Sequence, residues 1–182
     1  MTARVLLVRH MPVAKAWAGR CYGRSDMGLS RTGATAMRAL ADTLAAQSFA
    51  TIVHSGATRT RVLAERVARR TGRPVHADPR WLERDFGSWE GRSWHAIWRE
   101  TGDLMDRMMT DPAGFRPGGG ESGQDLASRV RTAWDALPIA ADTLVVTHGG
   151  PIAAIRTLLA GQPLERMIDA VPPCGSWLAL PR

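Results

Sequence analysis

The chain has 182 residues, of which 45% are hydrophobic and 23% charged, values that are ordinary for a globular protein. The formal net charge is +7, and Lys15 is the only lysine among the 24 basic residues. Arginine binds phosphates and carboxylates through a planar fork, so this charge fits either an anionic ligand or a compositional preference for arginine. The arginines form no run of five or more, which is unlike a nucleic-acid-binding tail.

Cysteine usage and hydropathy exclude two further classes of protein. Cys21 and Cys174 are the two cysteines and lie far apart, so a disulfide framework is not predicted. The apolar stretch near the N-terminus is short, and no stretch approaches the ~20 apolar residues of a membrane span. We therefore expect one cytoplasmic domain over residues 1–182, with no membrane or nucleic-acid partner and an oligomeric state that the sequence leaves open.

Short apolar runs alternate with helical patterns along the chain. Strands are predicted at 4–8, 51–54, 75–77, 143–147 and 176–180. Helices are predicted from 30 or 32 to about 47, from 58 to 70, from 93 to 100, around 104–109, from 122 to about 137 and from 149 to about 159. This alternation predicts an α/β fold, a three-layer α/β/α sandwich whose central sheet is mostly parallel.

Two of the predicted strands end in histidine. The first strand runs directly into Arg9 and His10, and the strand at 143–147 runs into His148. The carboxyl ends of parallel strands lie along one edge of a sheet, so both imidazoles are expected to face one crevice. One histidine at a strand end is more often structural, and the first pair alone fits a strand reaching solvent equally well. Two matching strand ends favour a catalytic site.

Features of an anion site surround these histidines. Gly149-Gly150-Pro151 opens the last helix, where free amides and the helix dipole favour an anion. A plain strand-to-helix turn would explain those three residues but not His148. Arg59 is predicted in the first turn of another helix, where a cation opposes the dipole by roughly 0.3–1 kcal/mol. A nearby anion would offset that cost, although a solvated surface arginine is the simpler alternative.

Five motifs occur in order along the chain. They are Leu7-Val8-Arg9-His10, Ser55-x-x-x-Arg59, Leu82-Glu83-Arg84-Asp85-Phe86-Gly87-Ser88-Trp89-Glu90-Gly91, Gly119-Gly120-Glu121-Ser122 and Thr147-His148-Gly149-Gly150. Together they resemble the histidine phosphatase superfamily, also called phosphoglycerate mutase-like, over nearly the whole chain. The resemblance implies a phosphomonoester hydrolase that passes through a phosphohistidine.

The resemblance also implies a role for each site residue. His10 would be the nucleophile, and Glu83 the general acid and then the general base. Arg9, Arg59 and His148 would surround the phosphoryl group. Further contacts to phosphate or substrate would come from the backbone near Gly149 and from the loop residues Tyr22 and Gly23.

Elementary chemistry is consistent with the roles that the resemblance implies. Phosphoryl transfer needs positioning and charge stabilisation, which arginines, a second histidine and helix amides can supply without a metal or cofactor. An alkoxide leaves poorly, so an acid such as Glu83 should matter by ~10²–10⁴-fold and produce a bell-shaped pH dependence. Metal ligation by His10, His54, His148 and Glu83 is the alternative, but no metal-ligand spacing supports it and the arginines would repel a cation. His54, His76 and His95 belong to no motif, and structural or surface roles are expected for them.

The segments 21–26 and 85–94 look most like those of α-ribazole-5′-phosphate phosphatases of cobalamin biosynthesis. The chain departs from the superfamily pattern at Met11, at Ala16 and at Gly56-Ala57, where glycine, asparagine and Pro-Leu are usual. Two alternatives stay open: a broad-specificity, sugar-phosphate or phosphoglycerate phosphatase, and an inactive arginine-rich module that binds a phosphorylated ligand or nucleic acid. Trp89 is expected to wall the pocket beside Glu83.

Overall fold

The computed structural model describes residues 3–182, and strands within that range form one five-stranded sheet. Its order is β3-β2-β4-β1-β5, in which β5 is antiparallel to β1 and the other neighbours are parallel. The strands are β1 (Arg4–Arg9), β2 (Thr51–His54), β3 (Val75–Ala77), β4 (Thr143–Thr147) and β5 (Trp177–Pro181). All five predicted strands are present.

Some of the helices begin or end at residues with good capping chemistry. Ser30 accepts a hydrogen bond from the Gly33 amide, and Ser122 forms a reciprocal capping box with Asp125. Gly72 ends the second helix in the left-handed conformation, with φ of 67°. The helices are α1 (Arg31–Ala45), α2 (Thr58–Thr71), α3 (Trp94–Thr101), α4 (Arg107–Thr110), α5 (Gly123–Asp135) and α6 (Gly149–Leu159).

The two faces of the sheet bury separate hydrophobic clusters. Along β1, Leu6 and Val8 point into the cluster that includes residues of α1 and α2. Val5 and Leu7 point into the cluster that includes residues of α5 and α6. This alternation follows from the two-residue repeat of a strand, which sends neighbouring side chains to opposite faces. The predicted three-layer α/β/α architecture is confirmed.

The register of the two central strands positions the functional edge. β1 and β4 are adjacent and parallel, with Arg9 opposite Thr147. His10 and His148 follow these paired residues, so both leave the sheet at the same edge. The prediction that the two strand ends converge is confirmed.

The main differences from the predicted elements lie in short or irregular segments. β1 extends one residue further, to Arg9, and a 3₁₀ turn at Lys15–Trp17 interrupts the long connection after it. The helix predicted around 104–109 is divided into a 3₁₀ turn, Gly102–Asp106, and the single turn of α4. Such pieces are too short for a periodic pattern to define. Within residues 3–182, the longest apolar helix falls short of what a bilayer crossing requires.

Candidate active site

His10 lies fully buried at the end of β1, with one ring nitrogen bonded and the other free. Its Nδ1 lies 2.7 Å from the carbonyl oxygen of Met11, which can only accept, so Nδ1 carries the proton. Nε2 is buried and has no hydrogen-bond partner within residues 3–182. Burial, opposed by the Met11 hydrogen bond and assisted by Arg59 and Arg9, lowers the pKa of His10 to about 3. The Nε2 lone pair is therefore available to a ligand at neutral pH.

His148 is also fully buried, and its protonation is set by two neighbours. Arg59 Nε lies 3.3 Å from His148 Nδ1, and because an arginine nitrogen can only donate, Nδ1 is the acceptor. The proton is then on Nε2, which donates to Ser55 Oγ at 2.8 Å. Burial first, and then the charge of Arg59, hold the pKa of His148 well below its ordinary value. The His10 and His148 ring centroids are 5.2 Å apart.

A buried chain of hydroxyl groups continues behind His148. Ser55 Oγ lies 2.8 Å from Thr60 Oγ1, and Thr60 in turn donates to the carbonyl of Ala57, also at 2.8 Å. Since the Thr60 proton is used on Ala57, Ser55 must donate to Thr60 and accept from His148. Every proton in this chain therefore has one defined position.

Arg59, in the first turn of α2, is fully buried and tied to the loop that follows β1. Its Nη2 donates to the carbonyl of Gly23 at 2.6 Å, and its Nη1 donates to the carbonyl of Ser25 at 2.8 Å. The Tyr22 ring lies over the guanidinium, 5.4 Å from Cζ to the ring centroid. The predicted cation at this helix start is thus a built part of the site, not a surface residue.

Arg9 reaches the opposite side of the site. Its Nη1 donates to the Pro172 carbonyl at 2.6 Å, while its buried Nε has no partner within the described chain. A Cβ added to Gly149 would lie 3.0 Å from Arg9 Cζ, so glycine at this position leaves room for the guanidinium. The Pro172 carbonyl in the C-terminal loop thus holds the Arg9 side chain, and Arg9 Nε remains without a partner among the described residues.

Glu83 lies at the N-terminus of α6. The amide of Gly150 lies 3.1 Å from Oε1 and 3.3 Å from Oε2, and the Arg84 amide donates to Oε1 at 2.9 Å. At the helix start expected to face an anion, the Gly150 amide thus donates to this carboxyl group. A Cβ on Gly150 would lie 2.2 Å from Oε1, so the contact requires glycine.

The loop carrying Tyr22 and Gly23 is held on both sides. The Glu90 carboxylate accepts the Ser25 amide and hydroxyl, each at 2.7 Å. Asp26 accepts the amide and hydroxyl of Thr58, at 2.8 and 2.7 Å, at the start of α2. The Tyr22 ring centroid is consequently 6.5 Å from that of His10.

A cavity of about 490 Å³ opens beside Glu83, away from the buried histidines. Arg9, Tyr22, Gly23, Glu83 and the α6 start border it at one end. The remaining wall is mostly apolar and includes Phe86, Trp94, Met105, Met108, Met109, Leu126, Ala153, Leu164, Met167, Ile168 and Val171.

The structure corrects one expectation and adds residues that sequence reasoning missed. Trp89 does not wall the pocket; it packs against Phe115 in a separate buried cluster, with ring centroids 6.0 Å apart. The roles of Ser55 and Thr60 were not predicted, although Ser55 belongs to a recognised motif. Pro172 gives no comparable signal, because it contributes through its backbone carbonyl.

The alternative reading as a metal site has little geometric support. Residues 3–182 contain no group of three or more His, Cys, Asp or Glu side chains placed to share a metal ion. His54 uses Nδ1 to accept the Gly56 amide at 3.0 Å, which shapes the turn before α2. The structural role expected for His54 is confirmed.

Comparison with known proteins decides the family. A family model for the histidine phosphatase superfamily (branch 1) matches residues 5–180. The chain belongs to this superfamily. Its fold, with a mainly parallel sheet flanked by helices, is that of the phosphoglycerate mutase-like members.

Relatives within the superfamily carry different activities in their names. A probable phosphoglycerate mutase from Photorhabdus laumondii is 31% identical over 163 residues, which are 88% of this chain and 76% of the relative. The native structure of a mycobacterial glucosyl-3-phosphoglycerate phosphatase has a TM-score of 0.87 at 27% identity, covering 98% and 90% of the two chains. The α-ribazole phosphatase of Shigella flexneri has a TM-score of 0.81 at 25% identity, covering 97% of this histidine phosphatase and 89% of that chain.

Proposed function

We propose that this histidine phosphatase hydrolyses phosphomonoesters through a phosphohistidine formed on His10. One observation carries the proposal. His10 presents an unprotonated, unpartnered Nε2 beside two arginines, with Nδ1 held by the Met11 carbonyl. A histidine fixed in this tautomer at a strand end is a prepared nucleophile. An inactive binding module would have no use for a buried free lone pair.

In the first step, the Nε2 lone pair of His10 attacks phosphorus and the bond from phosphorus to the ester oxygen breaks. Glu83, protonated at this stage, gives its proton to the departing alkoxide. Arg9 and Arg59 stabilise the negative charge of the phosphoryl oxygens. His148 uses both ring nitrogens on Ser55 and Arg59, so its contribution is to orient the Arg59 guanidinium.

In the second step, the Glu83 carboxylate takes a proton from water, and the water oxygen attacks phosphorus. The bond from phosphorus to Nε2 breaks, which releases inorganic phosphate and returns the lone pair to His10. The Gly150 and Arg84 amides donate to the Glu83 carboxyl group and hold it in place for this step. Tyr22 and Gly23 border the site and are assigned to substrate binding, together with Gly149.

No metal or cofactor is assigned to this chemistry. The positive charge that phosphoryl transfer needs comes from Arg9, Arg59 and the α6 start. These same arginines would repel a divalent cation placed at the phosphoryl position.

For the substrate we propose α-ribazole 5′-phosphate, a ribose phosphate that carries a flat, mostly apolar benzimidazole base. The apolar cavity wall beside Glu83 supports this choice, because an aromatic base would remove that wall from water. Phosphoglycerate is short and strongly anionic and would leave the wall uncovered. The relatives named for glucosyl-3-phosphoglycerate keep a sugar phosphate as the alternative.

The activity is tested with p-nitrophenyl phosphate in the presence of EDTA. We expect wild type to turn over and His10→Ala to lose roughly 10³-fold or more in kcat. Wild type mixed with labelled substrate and quenched rapidly in alkaline denaturant should yield an acid-labile, alkali-stable phosphoprotein that His10→Ala lacks. Activity surviving in the variant would reject the phosphohistidine, whereas an inactive wild type would favour the binding module.

The substrate is tested by comparing kcat/KM for α-ribazole 5′-phosphate, 3-phosphoglycerate and glucosyl-3-phosphoglycerate. We expect the ribazole ester to be preferred, and Trp94→Ala to reduce that preference because its ring forms part of the apolar wall. A preference for either phosphoglycerate ester would transfer the assignment to the relatives' activities.

A further inference from the structure

Arg84 is a buried cation whose hydrogen-bonding capacity is largely unused. The side chain belongs to a residue that is 5% exposed, and its Nε donates to the Glu121 carbonyl at 2.9 Å. Nη2 is buried and has no partner within residues 3–182. The guanidinium lies near the Phe86 ring, 5.7 Å from Cζ to the centroid. A buried charged donor without a partner is costly, so the fold maintains this arrangement against its own stability.

The position of Arg84 relates it to the reacting bond. It follows Glu83 directly, its amide donates to the Glu83 carboxylate, and both residues line the same cavity. The apolar wall formed by Trp94, Met105 and Ile168 belongs to that cavity as well. Arg84 and the apolar wall therefore border the same space that an alcohol leaving beside Glu83 would enter.

We infer that Arg84 determines specificity by donating hydrogen bonds to acceptor oxygens on the carbons next to the scissile ester, as a sugar ring presents them. The inference rests on the proposed phosphatase activity and deepens it. Arg84 favours alcohols of the sugar type, and the apolar wall favours sugars that carry an apolar substituent. A ligand oxygen would satisfy donors that the protein leaves unbonded, which is how a buried polar group creates discrimination.

Two phosphate esters distinguish the hydrogen bonds from Arg84 from effects on folding or on Glu83. Ribose 5-phosphate presents ring and hydroxyl oxygens, whereas cyclopentylmethyl phosphate has a similar ring and a primary ester without those oxygens. The measured quantity is the ratio of kcat/KM for the two esters on one enzyme preparation. Folding defects and general losses in Glu83 chemistry cancel in that ratio. If turnover is too slow to measure, each ester is used as an inhibitor of p-nitrophenyl phosphate hydrolysis, and the ratio of the two inhibition constants replaces the ratio of kcat/KM.

We expect wild type to prefer the ribose ester by roughly 10- to 100-fold, the range of a hydrogen bond to a charged group. Arg84→Met should bring the ratio close to 1, and Arg84→Gln provides the same test if the methionine variant does not fold. Arg20→Gln is the matched control. It removes a positive charge from the same cavity, but Arg20 already donates to the carbonyls of Ala16 and Gly91. Its ratio should stay at the wild-type value.

The outcomes separate this inference from the function beneath it. A wild type that hydrolyses p-nitrophenyl phosphate yet shows a ratio near 1 overturns the role of Arg84 alone. A wild-type preference that survives in Arg84→Met and Arg84→Gln does the same and leaves Arg84 a structural residue on Glu121. A wild type inactive on every phosphomonoester overturns the proposed function and the inference with it.

Discussion

Ser55 Oγ and His148 Nε2 are joined by a buried hydrogen bond of 2.8 Å that fixes which nitrogen of the histidine carries the proton. With the proton on Nε2, Nδ1 is left to accept from Arg59. The serine therefore acts on the phosphoryl site through two intermediaries. It touches no substrate and is a positioning residue.

Replacing Ser55 should loosen this arrangement. In Ser55→Ala the buried Nε2–H of His148 loses its acceptor, so the tautomer with the proton on Nδ1 becomes more populated. That proton would point at the Arg59 Nε–H and break the hydrogen bond between the two side chains. We expect kcat to fall by roughly 10- to 100-fold with a smaller change in KM, as measured on p-nitrophenyl phosphate.

Two variants control the Ser55 experiment. Ser55→Thr keeps the hydroxyl and should recover most of the activity. Thr143→Val removes another fully buried hydroxyl, one without a partner among residues 3–182, at the far end of β4. It should leave kcat unchanged. Equal losses in Ser55→Ala and Thr143→Val would attribute the effect to packing and contradict the relay.

The two site histidines should hold opposite tautomers. His10 carries its proton on Nδ1 and His148 on Nε2, and burial lowers the pKa of both. Nitrogen-15 chemical shifts of labelled imidazoles should report one protonated and one bare nitrogen for each ring, unchanged from pH 8 to about pH 5. Assignment uses His10→Gln and His148→Gln. A doubly protonated His10 at pH 7 would contradict its role as nucleophile.

The role of Glu83 should depend on the leaving group. Glu83→Gln cannot protonate an alkoxide, so we expect a loss of ~10²–10⁴-fold in kcat on alkyl phosphates. The decrease in the rate of the phosphorylation step should be smaller for p-nitrophenyl phosphate, because its phenolate leaves without a proton. The wild-type pH profile on alkyl esters should be bell-shaped and lose its alkaline limb in the variant. Equal losses in kcat/KM on both ester classes would exclude general-acid catalysis by Glu83, because kcat/KM reports the phosphorylation step and not the hydrolysis of the phosphohistidine.

The neutral buried histidines should make stability depend on pH. Their folded pKa values lie below the unfolded value of 6.5, so the unfolded chain binds more protons between that pH and the folded pKa, about 3 for His10. The free energy of unfolding is therefore highest above pH 6.5 and declines as the pH falls from 6.5 toward 3. Each such group contributes a slope of up to about 1.4 kcal/mol per pH unit.

Urea unfolding at several pH values between 7 and 5 tests this dependence. His10→Gln should flatten the decline by about the contribution of one proton. The matched control is His76→Gln, because His76 is exposed on β3 and remote from the buried pair. An unchanged slope in His10→Gln would mean that His10 is protonated equally in the folded and unfolded chains.

Much of the fold could be predicted because its signals are local. The interiors of β1 and β4 are apolar, as is typical of strands buried on both faces, and some helices carry caps such as Ser30 and Ser122. The segment between α3 and α5 was less predictable. It is built from single turns whose conformation depends on what they pack against, not on a repeat.

The sequence by itself determined which side chains gather at the candidate site. His10 and His148 end two buried strands, and parallel pairing brings such ends together. Arg59 and Glu83 followed from motif order, which is a property of the chain. Residue type and position were sufficient for these.

Only the tertiary structure decided how those side chains are prepared for function. Three features depend on how side chains pack in the folded chain. They are the free nitrogen of His10, the hydrogen bond from Arg59 to His148, and the donor of Arg84 that has no partner among the described residues. The physical reason is that a proton position or a missing partner is set by the acceptor within about 3 Å, and no local pattern specifies that neighbour.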